Sequence, residues 1–356
     1  MTNQDNVLFV DTIQHVREAI AEHAAAHSRL FVLCDENTLD HCFPLLANDS
    51  EELQNAEILV IEAGEGSKNW EIAHHLFAQL LEFEADKQAL IINLGGGVVT
   101  DLGGWIAANY KRGIDWINIP TSVMAMIDAS IGGKCGIDLM HYKNMVGVIA
   151  FPVQTIVCPE FLDTLDPIEI LSGQAEMLKH ALLRSRNDFD NVCNAIANDA
   201  TPDMEAIIAS ASVKLEIVKQ DAFETNERKT LNLGHTVGHA LESYFISIDK
   251  GIPHGIAVAA GIAIETPISS AYHMLSADDS QWITEQCIGL FDLDSYQWPS
   301  FDILVPYLMN DKKNSGGKIN LALLSDFGDC LASFPVELEH LTEAYETFLH
   351  RIKNEA

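Results

Sequence analysis

Two histidines four residues apart open the chemical reading of this chain. In the run Asn232-Leu233-Gly234-His235-Thr236-Val237-Gly238-His239 both imidazoles fall on one helix face, with Glu242 one turn further on. A third histidine stands in Pro253-His254-Gly255, at the start of another helical segment, and Glu176 lies one turn before Lys179-His180 on a helix that opens with Ser172-Gly173. Two imidazoles and one carboxylate from separate elements suit a divalent ion such as zinc, with coordination positions left open for a substrate. An H-x-x-x-H pair alone is more often structural; the flanking glycines and the two further candidates favour a metal here.

A second group of residues has the look of a phosphate cradle. Residues 93–104 read Asn-Leu-Gly-Gly-Gly-Val-Val-Thr-Asp-Leu-Gly-Gly and fall where a buried strand turns into a helix. Glycines there let a ligand approach the backbone, and the amides of the following helix attract phosphate. The pattern is not G-x-G-x-x-G, and a tight turn is the competing explanation. Two earlier loops, Asp35-Glu36-Asn37 and Gly64-Glu65-Gly66-Ser67-Lys68, also follow strands. All three loops would converge beyond the carboxyl ends of an open sheet, where a dinucleotide would fit. Further along, Asp128 sits in an otherwise apolar run that leads into Gly132-Gly133-Lys134. A buried carboxylate needs a partner, so Asp128 is either a paired core acid or a ligand-facing one. Lys143-Asn144 adds another candidate anion contact.

The elements that would position these residues follow from periodicity. Short β-rich apolar runs at 30–34, 58–61, 90–94, 116–119 and 155–158 alternate with helical stretches such as 69–82, which predicts βαβ units and a mostly parallel sheet. From residue 168 onward, amphipathic segments at helical spacing dominate: 168–184, 204–218, 230–246 and 256–273. Residues 319–324 alone in that half read as a strand. An α/β N-terminal domain (1–165) followed by a mainly α-helical domain (166–356) is therefore expected.

Composition narrows the partners. With 21 Lys and Arg against 52 Asp and Glu, the net charge is −31, which disfavours nucleic acid and anionic membranes. No run approaches the ~20 apolar residues of a membrane span, and the first residues lack signal-peptide character, so a cytoplasmic location is expected. Seven scattered cysteines without a C-x-x-C pair read as reduced thiols.

Taken together, the motifs resemble the 3-dehydroquinate synthases of the sugar phosphate cyclase family. The matching blocks are 95–104, Lys111-Arg112-Gly113, 120–136, Lys143-Asn144-Met145-Val146-Gly147, 172–179, 231–242, His254-Gly255 and Asp311-Lys312-Lys313. They run in family order. The resemblance implies a homodimeric enzyme of aromatic amino-acid biosynthesis that uses NAD and a divalent metal, zinc or cobalt. Its reaction converts 3-deoxy-D-arabino-heptulosonate 7-phosphate to 3-dehydroquinate and phosphate through oxidation, phosphate elimination, reduction and intramolecular aldol closure. By motif it implies Glu176, His235 and His254 as metal ligands. It places NAD contacts on Asp35, Asn37, Glu65, Lys68, Gly96, Gly97, Asp101, Thr121, Ser122, Lys143, Phe161 and Thr164. Substrate contacts fall on Arg112, Asp128, Lys134, Asn144, Lys179, Lys214, Arg228, Asn232 and Lys312. Glu224 and His239 match the proton-transfer positions. Lys134, Arg228 and Asn232 would also take part in catalysis.

This sequence departs from the family pattern at Ser122 and Cys135, where Thr is common, and at Asn226-Glu227, where Gly-Leu usually precedes Arg228. The nearest rivals are a cyclase acting on sedoheptulose 7-phosphate or glucose 6-phosphate and a metal-dependent alcohol or glycerol dehydrogenase. Having both Asn232 and His239 favours dehydroquinate synthase over the first, and the density of phosphate-directed cations favours it over the second. A catalytically inert nucleotide-binding scaffold would show losses among the metal or proton-transfer positions, and this chain has none.

Overall fold

Leu90-Ile91-Ile92-Asn93-Leu94-Gly95 is buried at every position, the signature of a strand covered on both faces of a parallel sheet. It is one of six parallel strands in the computed structural model, which describes residues 6–140, 142–309 and 318–354. The strands of the sheet are β1 (Val7–Phe9), β2 (Leu30–Asp35), β3 (Glu57–Ile61), β4 (Leu90–Gly95), β5 (Asp115–Pro120) and, after the separate antiparallel hairpin of β6 (Lys134–Leu139) and β7 (Tyr142–Ile149), β8 (Gln154–Val157). Their order is β1-β8-β5-β4-β2-β3. From β2 the chain steps outward to β3 and then returns to place β4 on the other side of β2. The order thus reverses between β2 and β4, and in such sheets a ligand crevice opens at the carboxyl ends of the strands flanking the reversal. The glycine run after β4 and Asp35 at the end of β2 both lie there.

This sheet belongs to a compact unit made of residues 1–166 together with 202–215. All five predicted strands of this half are present. The three-residue edge strand β1 and the β6-β7 hairpin were not anticipated: β1 is half-buried throughout and shows no alternation, and the hairpin lies in a glycine-rich stretch that reads as loop. Gly147 is needed in that hairpin because a Cβ there would stand 2.9 Å from the Cys135 carbonyl.

The second unit comprises residues 167–201 and 216–356. Its central element is the helix His254–Ala271, buried on nearly all sides, as expected of a helix apolar all round. The helices Pro167–Leu182, His235–Ser247, Ala277–Leu290 and Leu338–Asn354 pack around it, as does β9 (Ile319–Asp326), which forms a hairpin with β10 (Asp329–Val336). One expected helix, 230–246, is broken. A 3-10 turn over Glu227–Asn232 ends before Gly234, which takes φ +74°, and the α-helix starts only at His235. Only glycine fits that position: a Cβ on Gly234 would meet Ile262 Cγ1 at 2.5 Å and the Val258 carbonyl at 2.8 Å. All seven cysteines are free thiols.

Candidate functional site

In the first unit the glycine run does what its composition suggests. Gly96 precedes the helix Gly97–Asn109 with no side chain capping the first turn, so its leading amides face outward for an anion. Thr121 donates its amide to the Gly95 carbonyl at 3.1 Å. Ser122 Oγ would lie 3.4 Å from a Cβ on Gly96, so the turn and residues 121–122 are in contact. Asp35 caps the helix Glu36–His41, accepting from the Thr38 amide at 2.8 Å, and Asn37 is exposed on its first turn. Phe161 is buried and Thr164 exposed on the 3-10 turn that follows β8, again at the carboxyl end of the sheet.

Five of the named residues form one polar network. Lys68 is 4% exposed. Its ammonium donates to Asn144 Oδ1 at 2.8 Å and Asp101 Oδ2 at 3.2 Å, and lies 3.1 Å from Glu65 Oε1. Lys143 pairs with the same Glu65 oxygen at 3.6 Å. Burial alone would drive the Lys68 pKa down, but Asp101 and Glu65 outweigh it and hold the ammonium charged above its ordinary range. Asp101 is pushed up to about 6, by burial first, with Lys68 opposing and Glu65 and Asp128 adding to the rise.

Asp128 sits in a π-helical turn, Ala125–Ala129, and accepts from Lys214 Nζ at 2.7 Å. It is thus paired, but with its side chain 24% exposed it is not a core acid. Lys134 is exposed at the start of β6, immediately after Gly132 and Gly133, both at positive φ. Arg112 is not gathered with these groups. It is exposed in the turn before β5, at the amino end of the sheet, and a six-residue strand spans about 20 Å. Position in a motif did not reveal which end of the strand it would occupy.

The second unit assembles the metal candidates. Glu176 is 1% exposed. His235 Nε2 stands 3.4 Å and His254 Nε2 3.8 Å from its Oε1, while Lys179 abuts the carboxylate as an ion pair. Lys179 neutralises Oε2, but Oε1, which faces the two imidazoles, accepts no hydrogen bond, which is costly for a buried carboxylate oxygen with no further ligand. The His254 distance exceeds hydrogen-bonding range and the His235 distance lies at its edge, whereas two ligands about 2.0–2.1 Å from a shared tetrahedral ion lie roughly 3.4 Å apart. The donor set therefore fits a divalent cation.

The tautomers fit as well. His235 Nδ1 donates to the Leu233 carbonyl at 3.0 Å and His254 Nδ1 to Glu242 Oε2 at 3.3 Å, leaving each Nε2 lone pair directed at Glu176. Burial, and then Lys179, His239 and His254, hold His235 well below its ordinary pKa, in the neutral form that binds metal. His239 is exposed beside them, its ring centroid 5.2 Å from His235 and 5.8 Å from His254. The three imidazoles are close enough to share an ion.

Asn232 donates to Glu224 Oε1 at 3.3 Å and to the Lys229 carbonyl at 3.1 Å, linking it to the acid assigned to proton transfer. Arg228 is 1% exposed and donates to the Ala222 carbonyl at 2.7 Å. Glu227 beside it is exposed. The path of this loop is set by Asp221, which accepts from the amides of Thr225 at 2.9 Å, Asn226 at 2.7 Å and Arg228 at 3.2 Å. Burial opposes the charge on Asp221, but these donors prevail and bring its pKa down to about 2. Asp221 was not anticipated, because its partners are backbone amides that no motif displays. Lys312 lies outside the described residues.

Residues 58–172 match the 3-dehydroquinate synthase N-terminal domain, and residues 173–314 match the C-terminal domain. A 3-dehydroquinate synthase of Parabacteroides distasonis is 36% identical over 98% of both chains. The chain belongs to the 3-dehydroquinate synthase family. Two solved structures share the fold of this 3-dehydroquinate synthase family member. One is 2-epi-5-epi-valiolone synthase from Streptomyces hygroscopicus with NAD+ and Zn2+ bound, with TM-score 0.83 and 24% identity over 97% of both chains. The other is 2-deoxy-scyllo-inosose synthase complexed with carbaglucose-6-phosphate, NAD+ and Co2+, with TM-score 0.81 and 20% identity over 95% of both chains.

Proposed function

We propose that this protein catalyses the 3-dehydroquinate synthase reaction, a phosphate-eliminating carbon–oxygen lyase step of the shikimate pathway. It converts 3-deoxy-D-arabino-heptulosonate 7-phosphate to 3-dehydroquinate and phosphate, in the cytoplasm and as a homodimer. No helix among the described residues is long and apolar enough to cross a membrane. The observation that carries the reading is the Glu176, His235 and His254 set, with both imidazole tautomers fixed, in a chain that matches the family in both halves.

NAD and a divalent ion, zinc or cobalt, would together supply reversible oxidation of a substrate hydroxyl and relief of the charge on its oxygen. Residues 1–165 form the nucleotide domain in this reading. The Gly96 and Gly97 turn, Thr121 and Ser122 hold NAD with Asp35, Asn37, Phe161 and Thr164, and the Lys68 network with Glu65, Asp101 and Lys143 frames the same end of the sheet. Residues 166–356 hold the metal through Glu176, His235 and His254. Lys134, Asn144, Lys179, Lys214, Arg228 and Lys312 supply positive or polar contacts to the carboxylate and phosphate of the substrate. His239 carries a proton at its exposed imidazole, and Asn232 orients the carboxylate of Glu224 for the same work.

The test is incubation with the heptulosonate phosphate, NAD and zinc while following phosphate and NADH. Phosphate release without net NADH is the expected result. Net NADH from simple alcohols, or no phosphate release, overturns the reading, and turnover of sedoheptulose 7-phosphate in its place would assign another cyclase activity.

A further inference from the structure

Of the three helices that carry the metal candidates, one caps the second and the second caps the third. Ser172, on the helix that bears Glu176, accepts the Gly255 amide at 3.0 Å, at the first turn of the helix that begins with His254. That helix in turn carries Glu265, which is 0% exposed. Glu265 accepts the Gly234 amide on Oε2 and the Val237 amide on Oε1, both at 2.9 Å.

Gly234 and Val237 are the N-cap and third residue of the helix that begins with His235. In an ordinary capping box these two amides are satisfied by side chains of the same segment. Here the N-cap has no side chain and cannot take one, because a Cβ at Gly234 would strike Ile262 and the Val258 carbonyl. One carboxylate from a neighbouring helix does both jobs.

The placement has an electrostatic side. His235 and His254 are each the first residue of their helix, so a cation they share lies near two positive helix ends, which disfavour it. A buried anion on the first turn of one of those helices offsets that penalty. It also fixes the backbone from which His235 projects, and outer partners of this kind commonly change metal affinity 10–100-fold when removed.

We infer that Glu265 is a positioning residue for the metal centre, holding the His235 helix in register and compensating its positive end. The inference rests on the reading of Glu176, His235 and His254 as metal ligands and adds a residue that touches neither metal nor substrate. Glu265→Gln is nearly isosteric but offers one acceptor oxygen and turns an amide NH2 toward a backbone donor.

Zinc affinity by chelator competition, the visible spectrum of the cobalt form and the thermal midpoint are measured for wild type, Glu265→Gln and Leu304→Ala. Leu304→Ala truncates the same apolar core from the helix Phe301–Met309, which bears none of the metal candidates. Glu265→Gln should weaken zinc at least about tenfold and alter the cobalt bands, whereas Leu304→Ala should lower the midpoint and leave both metal readouts unchanged. Equal zinc affinity and an unchanged cobalt spectrum in Glu265→Gln overturn the inference, as does a loss of affinity that merely tracks the midpoint in both variants. If wild type binds no zinc or cobalt, the ligand assignment itself falls. Should Glu265→Gln not fold, amide exchange in wild type decides: the Gly234 and Val237 amides should exchange about tenfold faster after metal removal, by reciprocity of linked equilibria. Unchanged rates reject the link.

Discussion

Replacing Gly261 with Ala tests the close approach that places His235. A Cβ at Gly261 would lie 1.8 Å from the Gly234 carbonyl oxygen, 2.7 Å from its carbon and 3.0 Å from the Gly238 amide nitrogen. All three are backbone atoms, so no side chain can swing aside. Restoring even the shortest tolerable contact, 3.0 Å, moves the two helices apart by about 1 Å. Overpacking of this kind costs about 1–3 kcal/mol, and backbone against backbone places Gly261→Ala at the upper end, near 3 kcal/mol. For a unit of this size that lowers the thermal midpoint by roughly 6–12 °C. A displacement of about 1 Å also exceeds the ~0.2 Å tolerance of ligand distances, so the purified variant should hold less than stoichiometric zinc. Gly289→Ala is the matched control, since nothing lies within 4 Å of its Cβ. There the better helix propensity of Ala should raise the midpoint slightly, by up to about 1 kcal/mol in stability. Scanning calorimetry with zinc analysis reads both. A Gly261→Ala protein with an unchanged midpoint and full zinc would refute the packing argument.

His254→Ala should lose both bound metal and phosphate release, and retention of full metal content by elemental analysis would remove His254 from the ligand set. The raised pKa of Asp101, about 6 against 3.8, means that the folded state takes up a proton more readily than the unfolded one. Its contribution to stability is therefore complete below about pH 4 and lost as pH rises through about 6; urea midpoints between pH 4 and 7 should be flatter in Asp101→Asn. Asp221 has the opposite sign: with a folded pKa of about 2, it stabilises above about pH 4 and the effect fades as pH falls through about 2. Asp221→Asn should slow phosphate release through the Glu224 loop while zinc content stays full, and unchanged kinetics would count against that role.

The sheet was legible because β2, β4 and β5 are short apolar runs buried on both faces, and parallel sheets leave that mark in sequence. The neighbouring imidazoles of His235 and His239 were legible because i, i+4 spacing is a statement about one helix face, whereas Glu176 and His254 stand on other helices and were fixed as ligands only through the family resemblance. What stayed hidden depends on partners distant in sequence. Glu265 reads as one acid in an apolar helix, and its role follows from the bare amides of Gly234 and Val237 on another helix. The break at Gly234 was masked by apolar periodicity continuing through residues 230–246, since the pattern does not report φ. Arg112 sits in a matched motif, yet strand direction carries it to the amino end of the sheet.

The sheet order also has a kinetic consequence. Val7 pairs with Thr155 and Phe9 with Val157, so the first strand made has no neighbour until β8 has emerged, roughly ten to thirty seconds later at ordinary synthesis rates. The first unit then draws on residues 202–215, after the stretch 167–201 assigned to the second. Neither unit can be finished before the other has begun. Folding of this chain is therefore an interleaved process in which a short apolar strand waits for its partner, so slower synthesis should lengthen the time for which Val7–Phe9 stays unpaired.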